Sequence, residues 1–115
     1  MSKVTIAVRV YDNTGEEHAI YTKAFHTDFL PTTVELPYKE ENSKAVTTMS
    51  VPVDEINLNT TLNKTNASYL VIWLKDLNFQ RDVLAKYNVN DLIRGLKTYP
   101  EWTELPFEYD RRLSI

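Results

Sequence analysis

The chain contains no cysteine, and only two glycines, Gly15 and Gly95, occur among its 115 residues. The first absence removes a disulfide scaffold, a zinc ribbon, an iron–sulfur centre and a thiol nucleophile together. The second removes those nucleotide sites whose loops need several glycines to bring backbone N–H groups onto phosphate. Histidine is limited to two residues, which thins the stock of metal ligands and acid–base groups. No run of 18 apolar residues appears, so no segment has the length of a membrane-spanning helix. Met1-Ser2-Lys3-Val4 passes straight into an alternating pattern with no apolar stretch, and the expectation is a cytoplasmic protein without a secretory signal. Positive charge is in deficit: 13 Lys and Arg face 16 Asp and Glu, a formal net charge of −3. General nucleic-acid binding exchanges counterions for Lys and Arg, so direct nucleic-acid binding is disfavoured.

What remains is an ordinary globular composition, 43% hydrophobic and 25% charged, in a chain of one-domain length. Val4, Ile6, Val8 and Val10 alternate with Thr5, Ala7, Arg9 and Tyr11, the period of a strand with one buried face. Asp12-Asn13-Thr14-Gly15 supplies a turn, and residues 17–25 read as the returning strand of a hairpin. His26-Thr27-Asp28 breaks that strand. Residues 32–36 form a third strand between Pro31 and Pro37, and two flanking prolines point to an edge. Residues 45–53 form a fourth, with Pro52 marking an edge or a bulge. Residues 54–68 are compatible with loop, strand or helical turn. Tyr69 to Leu74 is a continuous apolar run whose Val, Ile and Trp favour a central strand buried on both faces.

After residue 75 the period changes. Asn78 is a plausible N-cap, with Phe79, Val83, Leu84 and Tyr87 at helical spacing. Asn90 caps a second short helix bearing Leu92, Ile93 and Leu96, which ends at Tyr99 before Pro100. The expected fold is therefore α+β: an antiparallel sheet of four or five strands, with a C-terminal helical pair packed on one face. It is a single domain over residues 1–115, divided into a sheet-forming part (3–75), a helical pair (78–98) and an aromatic, acidic tail (99–115).

Each group able to carry chemistry has a plainer alternative. His18, His26 and Asp28 would make a metal or proton-transfer site if the hairpin brought them together. A surface histidine and strand-end turn chemistry are the stronger reading, because a metal needs three or four convergent ligands. Glu16-Glu17, Glu40-Glu41 and Asp54-Glu55 are adjacent pairs, and neighbours on a strand point to opposite faces, so none is a built-in dyad. No serine lies in a Gly-x-Ser-x-Gly elbow or a Ser-x-x-Lys pair. Three Asn-x-Ser/Thr triplets between residues 59 and 68 fit an exposed Asn/Thr-rich loop able to make adaptable hydrogen bonds, rather than glycosylation. A helix-turn-helix over residues 78–98 would offer Asn90, Asp91, Arg94 and Lys97 to a groove, a set with little net positive charge.

The tail carries the clearest surface signal. Tyr99, Trp102, Phe107 and Tyr109 interleave with Glu101, Glu104, Glu108 and Asp110. Polar-tipped aromatics anchor interfaces. The same rings could equally fold back over the sheet, since a small domain needs that apolar area. The sequence thus leads to a non-catalytic, cofactor-free and metal-free binding protein, an inhibitor or adaptor. Phages and other mobile elements carry small acidic chains of this kind. Its partner would be another protein: a larger host enzyme, one that handles nucleic acid, or a defence protein. The alternatives are an assembly subunit that oligomerises through edge strands 32–36 or 45–53, and a small DNA-binding regulator using the 78–98 helical pair.

Overall fold

The computed structural model describes residues 2–59, 69–80 and 87–107. Six strands and one helix follow in order: β1 (Ser2–Tyr11), β2 (Glu17–Thr27), β3 (Thr33–Tyr38), β4 (Thr47–Asn59), β5 (Tyr69–Leu74), α1 (Val89–Thr98) and β6 (Thr103–Leu105). The strands form one sheet in the order β3-β4-β5-β1-β2-β6, curled into a half-barrel.

The expected hairpin is present. β1 and β2 pair antiparallel, with a bulge opposite Val10 and Tyr11. Their turn is built as the sequence suggests. Asp12 Oδ1 accepts from the Thr14 N–H at 2.8 Å and the Glu16 N–H at 3.0 Å, and Gly15 takes φ +86°, a value that suits a residue without a Cβ. β5 covers Tyr69–Leu74 and lies between β4 and β1; Val71 through Leu74 are fully buried.

The sheet has six strands rather than the expected four or five, because Thr103–Leu105 of the tail pair with β2, and with one short helix the described residues are mostly β rather than α+β. Two further parts of the expected fold are corrected. The sheet is mixed, not antiparallel: β5 runs parallel to β1, with Thr5, Ala7 and Ile6 opposite Val71, Trp73 and Ile72. The chain extends this parallel register past β5. Leu77 N–H donates to Arg9 O at 2.9 Å and Tyr11 N–H to Leu77 O at 3.0 Å. Arg9 and Asp76 lock the same junction, Nε to Oδ1 at 2.9 Å and Nη2 to Oδ2. A period-two pattern specifies a strand's faces but not its neighbour or direction, so the parallel pair is invisible in it. The second correction is that the described residues contain one helix, not a helical pair. Asn78 Oδ1 does accept from the Gln80 N–H at 3.1 Å, but this closes a turn; residues 81–86 lie outside the described residues. The helix-turn-helix reading goes with the pair.

The helix that is present starts two residues earlier than expected. Asn88, at φ −130° and ψ 131°, is its N-cap and accepts from the Asn90 N–H at 2.8 Å. Asp91 in the first turn and Lys97 in the last suit the helix dipole. Val89, Leu92 and Leu96 form the buried stripe, and Tyr99, the residue before Pro100, ends the helix in an extended conformation.

That stripe closes the inner face of the half-barrel. Val4, Ile6, Val8 and Val10 of β1, Tyr21 of β2, Leu36 and Tyr38 of β3, Met49 and Val51 of β4, and Ile72 and Leu74 of β5 join Leu92, Leu96 and Trp102 in one core. The outer face carries a smaller cluster of Ala7, Ile20, Val71 and Trp73, covered by Leu105 and Phe107.

The prolines fall where the ladder can spare a donor. Val53 N–H donates to Thr32 O at 2.9 Å, which sets the phase of the β3–β4 pair. Val34, Leu36 and Tyr38 turn their backbone groups toward β4, and Thr33, Glu35 and Pro37 turn theirs away. Pro37 therefore withholds no bond from the ladder. Pro52 precedes a bulge between Val53 and Glu55. Of the two expected edge segments, β3 is an edge. β4 is flanked on both sides and runs on to Asn59, through part of the stretch that had no single reading. Among the described residues no helix is long and apolar enough to cross a membrane.

Candidate functional site

The structure divides the tail residues that the sequence singles out. Tyr99 and Glu101 are exposed, while Trp102 is buried against the inner core. Lys23 of β2 places its ammonium 5.8 Å from the Trp102 ring centre. Thr103–Leu105 then pair with β2, setting Glu104 opposite Tyr21 and Leu105 opposite Ile20. Phe107 packs on the outer face, edge-on to Tyr11 with ring centres 5.3 Å apart. Glu108, Tyr109 and Asp110 lie outside the described residues.

Glu104 belongs to a polar network at the end of the sheet. The Tyr21 hydroxyl donates to Glu104 Oε1 at 2.7 Å, and His18 Nε2 lies 3.0 Å from the Tyr21 oxygen. With the tyrosine proton committed to the carboxylate, its oxygen accepts from a His18 Nε2–H. His18 Nε2 also lies 3.6 Å from Glu104 Oε1, and Lys97 Nζ of α1 lies 3.8 Å from the same oxygen. Burial and the Glu104 carboxylate push the Tyr21 hydroxyl far above its ordinary ionisation range. A phenol so raised is a poor base and a poor nucleophile. It serves here as a pin that ties β6 to β2.

His18 does not meet His26 and Asp28. His26 faces solvent near the far end of β2 and Asp28 is exposed in the following turn. Eight residues of strand, roughly 26 Å, separate the two histidines. Among the described residues no group of three or more His, Asp or Glu side chains could hold a metal.

Two concave regions flank α1. At its N-terminal end an open cleft of about 870 Å³ is lined by Glu40, Glu41, Asn88, Asn90, Asp91 and Arg94, with Asn42 and Ser43. Two of its four charged residues are paired within the chain: Arg94 donates to Asp91 Oδ1 at 2.6 Å and to Lys39 O at 2.8 Å, and the Tyr38 hydroxyl donates to Asp91 Oδ2 at 3.2 Å, while Glu40 and Glu41 are exposed. At its C-terminal end a groove of about 230 Å³ runs between Glu35, Pro37, Thr47 and Thr48 on one side and Lys23, Tyr99, Glu101 and Trp102 on the other. Three residues chosen from the sequence, Tyr99, Glu101 and Trp102, thus share a groove with β3. That β3 forms the opposite wall is a long-range consequence of the curl.

The most exposed large apolar residues were not singled out by sequence. Phe29 is 83% exposed and Leu30 52% exposed, at the tip joining β2 to β3. Thr27 Oγ1 fixes this tip, donating to Phe29 O at 2.6 Å and accepting from Phe29 N at 3.1 Å. The available signal was an apolar pair inside a turn segment, between Asp28 and Pro31.

Comparison with protein-family models, curated proteins and solved structures returns no significant match for this chain.

Proposed function

We propose that this chain is a non-catalytic protein-binding protein of the inhibitor or adaptor type. The observation that carries the reading is the Phe29–Leu30 tip. An aromatic and an aliphatic side chain stand in solvent at the end of a strand connection, and the backbone beneath them is pinned by Thr27 and followed by Pro31. Aromatic side chains, phenylalanine among them, are enriched at protein interfaces, and a loop already held in shape loses less entropy on binding. The pinned tyrosine network and the Arg94–Asp91 pair in the larger cleft agree with a scaffold that presents surface.

The test compares the wild-type chain, immobilised, with a Phe29→Ser, Leu30→Ser variant. The expected result is a protein retained stoichiometrically by the wild type and lost by the variant, at equal melting temperatures. Equal retention by both chains overturns the reading. So does light scattering in which the wild type is a stable oligomer and the variant a monomer, since the tip would then join copies of this chain.

A further inference from the structure

Among the described residues β3 is an edge strand, and its open groups can be identified one by one. The ladder phase turns the backbone N–H and C=O groups of Thr33 and Glu35 away from β4, and both residues are exposed. Farther along, the edge is closed. Pro37 has no N–H to offer, and α1 lies against its carbonyl so tightly that a Cβ on Gly95 would stand 2.3 Å from the oxygen. Lys39 N–H donates to Asp91 O at 3.1 Å, continuing the cover. The helix thus follows the edge from Lys39 to Pro37 and ends at Tyr99, and the groove opens beyond its end. One wall of that groove is Glu35 and Pro37; the other is Tyr99, Glu101, Trp102 and Lys23. An open strand edge beside a groove with two aromatic rings is the geometry of strand addition: backbone bonds give affinity and the groove reads a side chain.

We infer that the Thr33–Glu35 edge binds an extended, basic segment of a partner protein as a seventh strand, with one long cationic side chain seated in the groove. This deepens the protein-binding reading and rests on it. The charge on the two walls selects the cation. Glu35 and Glu101 line the groove against one cation, Lys23, whose ammonium stands over the Trp102 ring, so the walls carry a net negative charge. Ser50 Oγ, opposite Glu35 on β4, donates to Glu35 Oε1 and holds that carboxylate toward β4. The stem of an arginine or lysine would lie against Tyr99 and Pro37. The size of the site selects a segment rather than a second copy. Two outward residues give a short ladder, well below the roughly 1,200 Å² that stable protein–protein association needs. Pairing two copies about this edge would also crowd the same acids together.

The probe is a fluorescein-labelled peptide of alternating arginine and valine, measured by anisotropy against the full chain. Its controls are the same peptide with glutamate for arginine, and one N-methylated at alternate amides so that no strand can be added along one edge. Thr33→Pro removes one outward N–H and leaves the β4 ladder intact, so it is expected to melt with the wild type; Glu35→Lys reverses the wall charge. Binding of the arginine peptide should fall at least tenfold in each variant and with each control peptide, and the Thr33 and Glu35 amides should gain hydrogen-exchange protection on binding. Several outcomes overturn the inference: no binding, binding that survives N-methylation, binding indifferent to Thr33→Pro, or a concentration-dependent dimer that Thr33→Pro abolishes. The outcome for the tip is separate. If Phe29 and Leu30 still govern partner capture while these edge tests fail, the protein-binding reading stands and the strand-addition site falls.

Discussion

The Cα of Gly95 sits against the backbone of Pro37 so closely that a Cβ there would lie 2.3 Å from the Pro37 oxygen and 2.5 Å from its carbonyl carbon. These are atoms of an edge strand, not the movable end of a side chain. Helical propensity alone favours alanine over glycine by about 1 kcal/mol, but relieving the clash requires α1 or β3 to shift, and overpacking of this kind costs about 1–3 kcal/mol or more. Gly95→Ala is therefore expected to lower the urea midpoint, with an unchanged slope. A midpoint at or above wild type would mean that helix and strand are not in contact in solution.

Tyr21 gives the protein a pH dependence at the alkaline end. Tyrosine ordinarily ionises near pH 10. Burial first, and then the Glu104 hydrogen bond and charge, raise Tyr21 well above that; burial and Asp91 also raise Tyr38, against the lowering effect of the Asn88 N–H. A group raised in the folded state binds more protons folded than unfolded between its two ionisation points, so unfolding free energy falls with rising pH across that window. The contribution is complete below about pH 10 and is lost as pH climbs toward the folded value. Tyr21→Phe is expected to be about 1–2 kcal/mol less stable at pH 8, from the lost bond to a carboxylate, and to show a shallower alkaline decline. Tyrosinate absorbance should rise for Tyr21 only with unfolding. An early, fold-independent ionisation in wild type that is missing in Tyr21→Phe would refute the buried Glu104 contact.

Arg9 and Asp76 supply a third test, on the parallel junction. Their side chains meet through two hydrogen bonds and are only 22% and 14% exposed. The pair sits where Leu77 continues the parallel register beside β1. Charge-assisted bonds of this form contribute about 1.5–3 kcal/mol, and a part-buried pair is weakly screened. Asp76→Ala is expected to lower stability by about 2 kcal/mol, with little change in that difference between low and high salt. A difference that vanishes at high salt would place the pair in solvent.

The elements that could be read from sequence were those that announce themselves locally. Val4 to Val10 alternate strictly, Gly15 follows an Asp-Asn-Thr turn, and Tyr69–Leu74 has no polar interruption, so a hairpin and a central strand follow directly. What escaped depends on partners far along the chain. Ile72 opposite Ile6 in a parallel ladder has the same pattern as an antiparallel one. The start of α1 was misplaced because Asn88 and Asn90 are both good caps in isolation. Asn88 is the one whose N–H is held, 2.8 Å from the Tyr38 hydroxyl, by a strand 50 residues earlier. In the candidate site, Tyr99 and Glu101 stand out in the sequence as tail residues, but their pattern does not decide which tail ring is exposed, and Glu35 and Lys23 join them only because the sheet curls.

The tail is where two aromatic residues, close in sequence, part company. Trp102 is buried in the inner core beneath Lys23, while Tyr99 is 37% exposed at the groove. Removing a buried tryptophan side chain costs about 3–5 kcal/mol, so Trp102→Ala is expected to bring the chain close to unfolding at 37 °C. Tyr99→Ala removes a groove wall and little core, and its stability change should stay within about 1 kcal/mol. The measurement is a pair of urea curves, with near-ultraviolet circular dichroism to report the Trp102 environment. Equal losses would show that both rings are core and that the groove has no aromatic wall to offer. A negligible loss for Trp102→Ala would place the indole on the surface, where the unaided sequence allowed it to be.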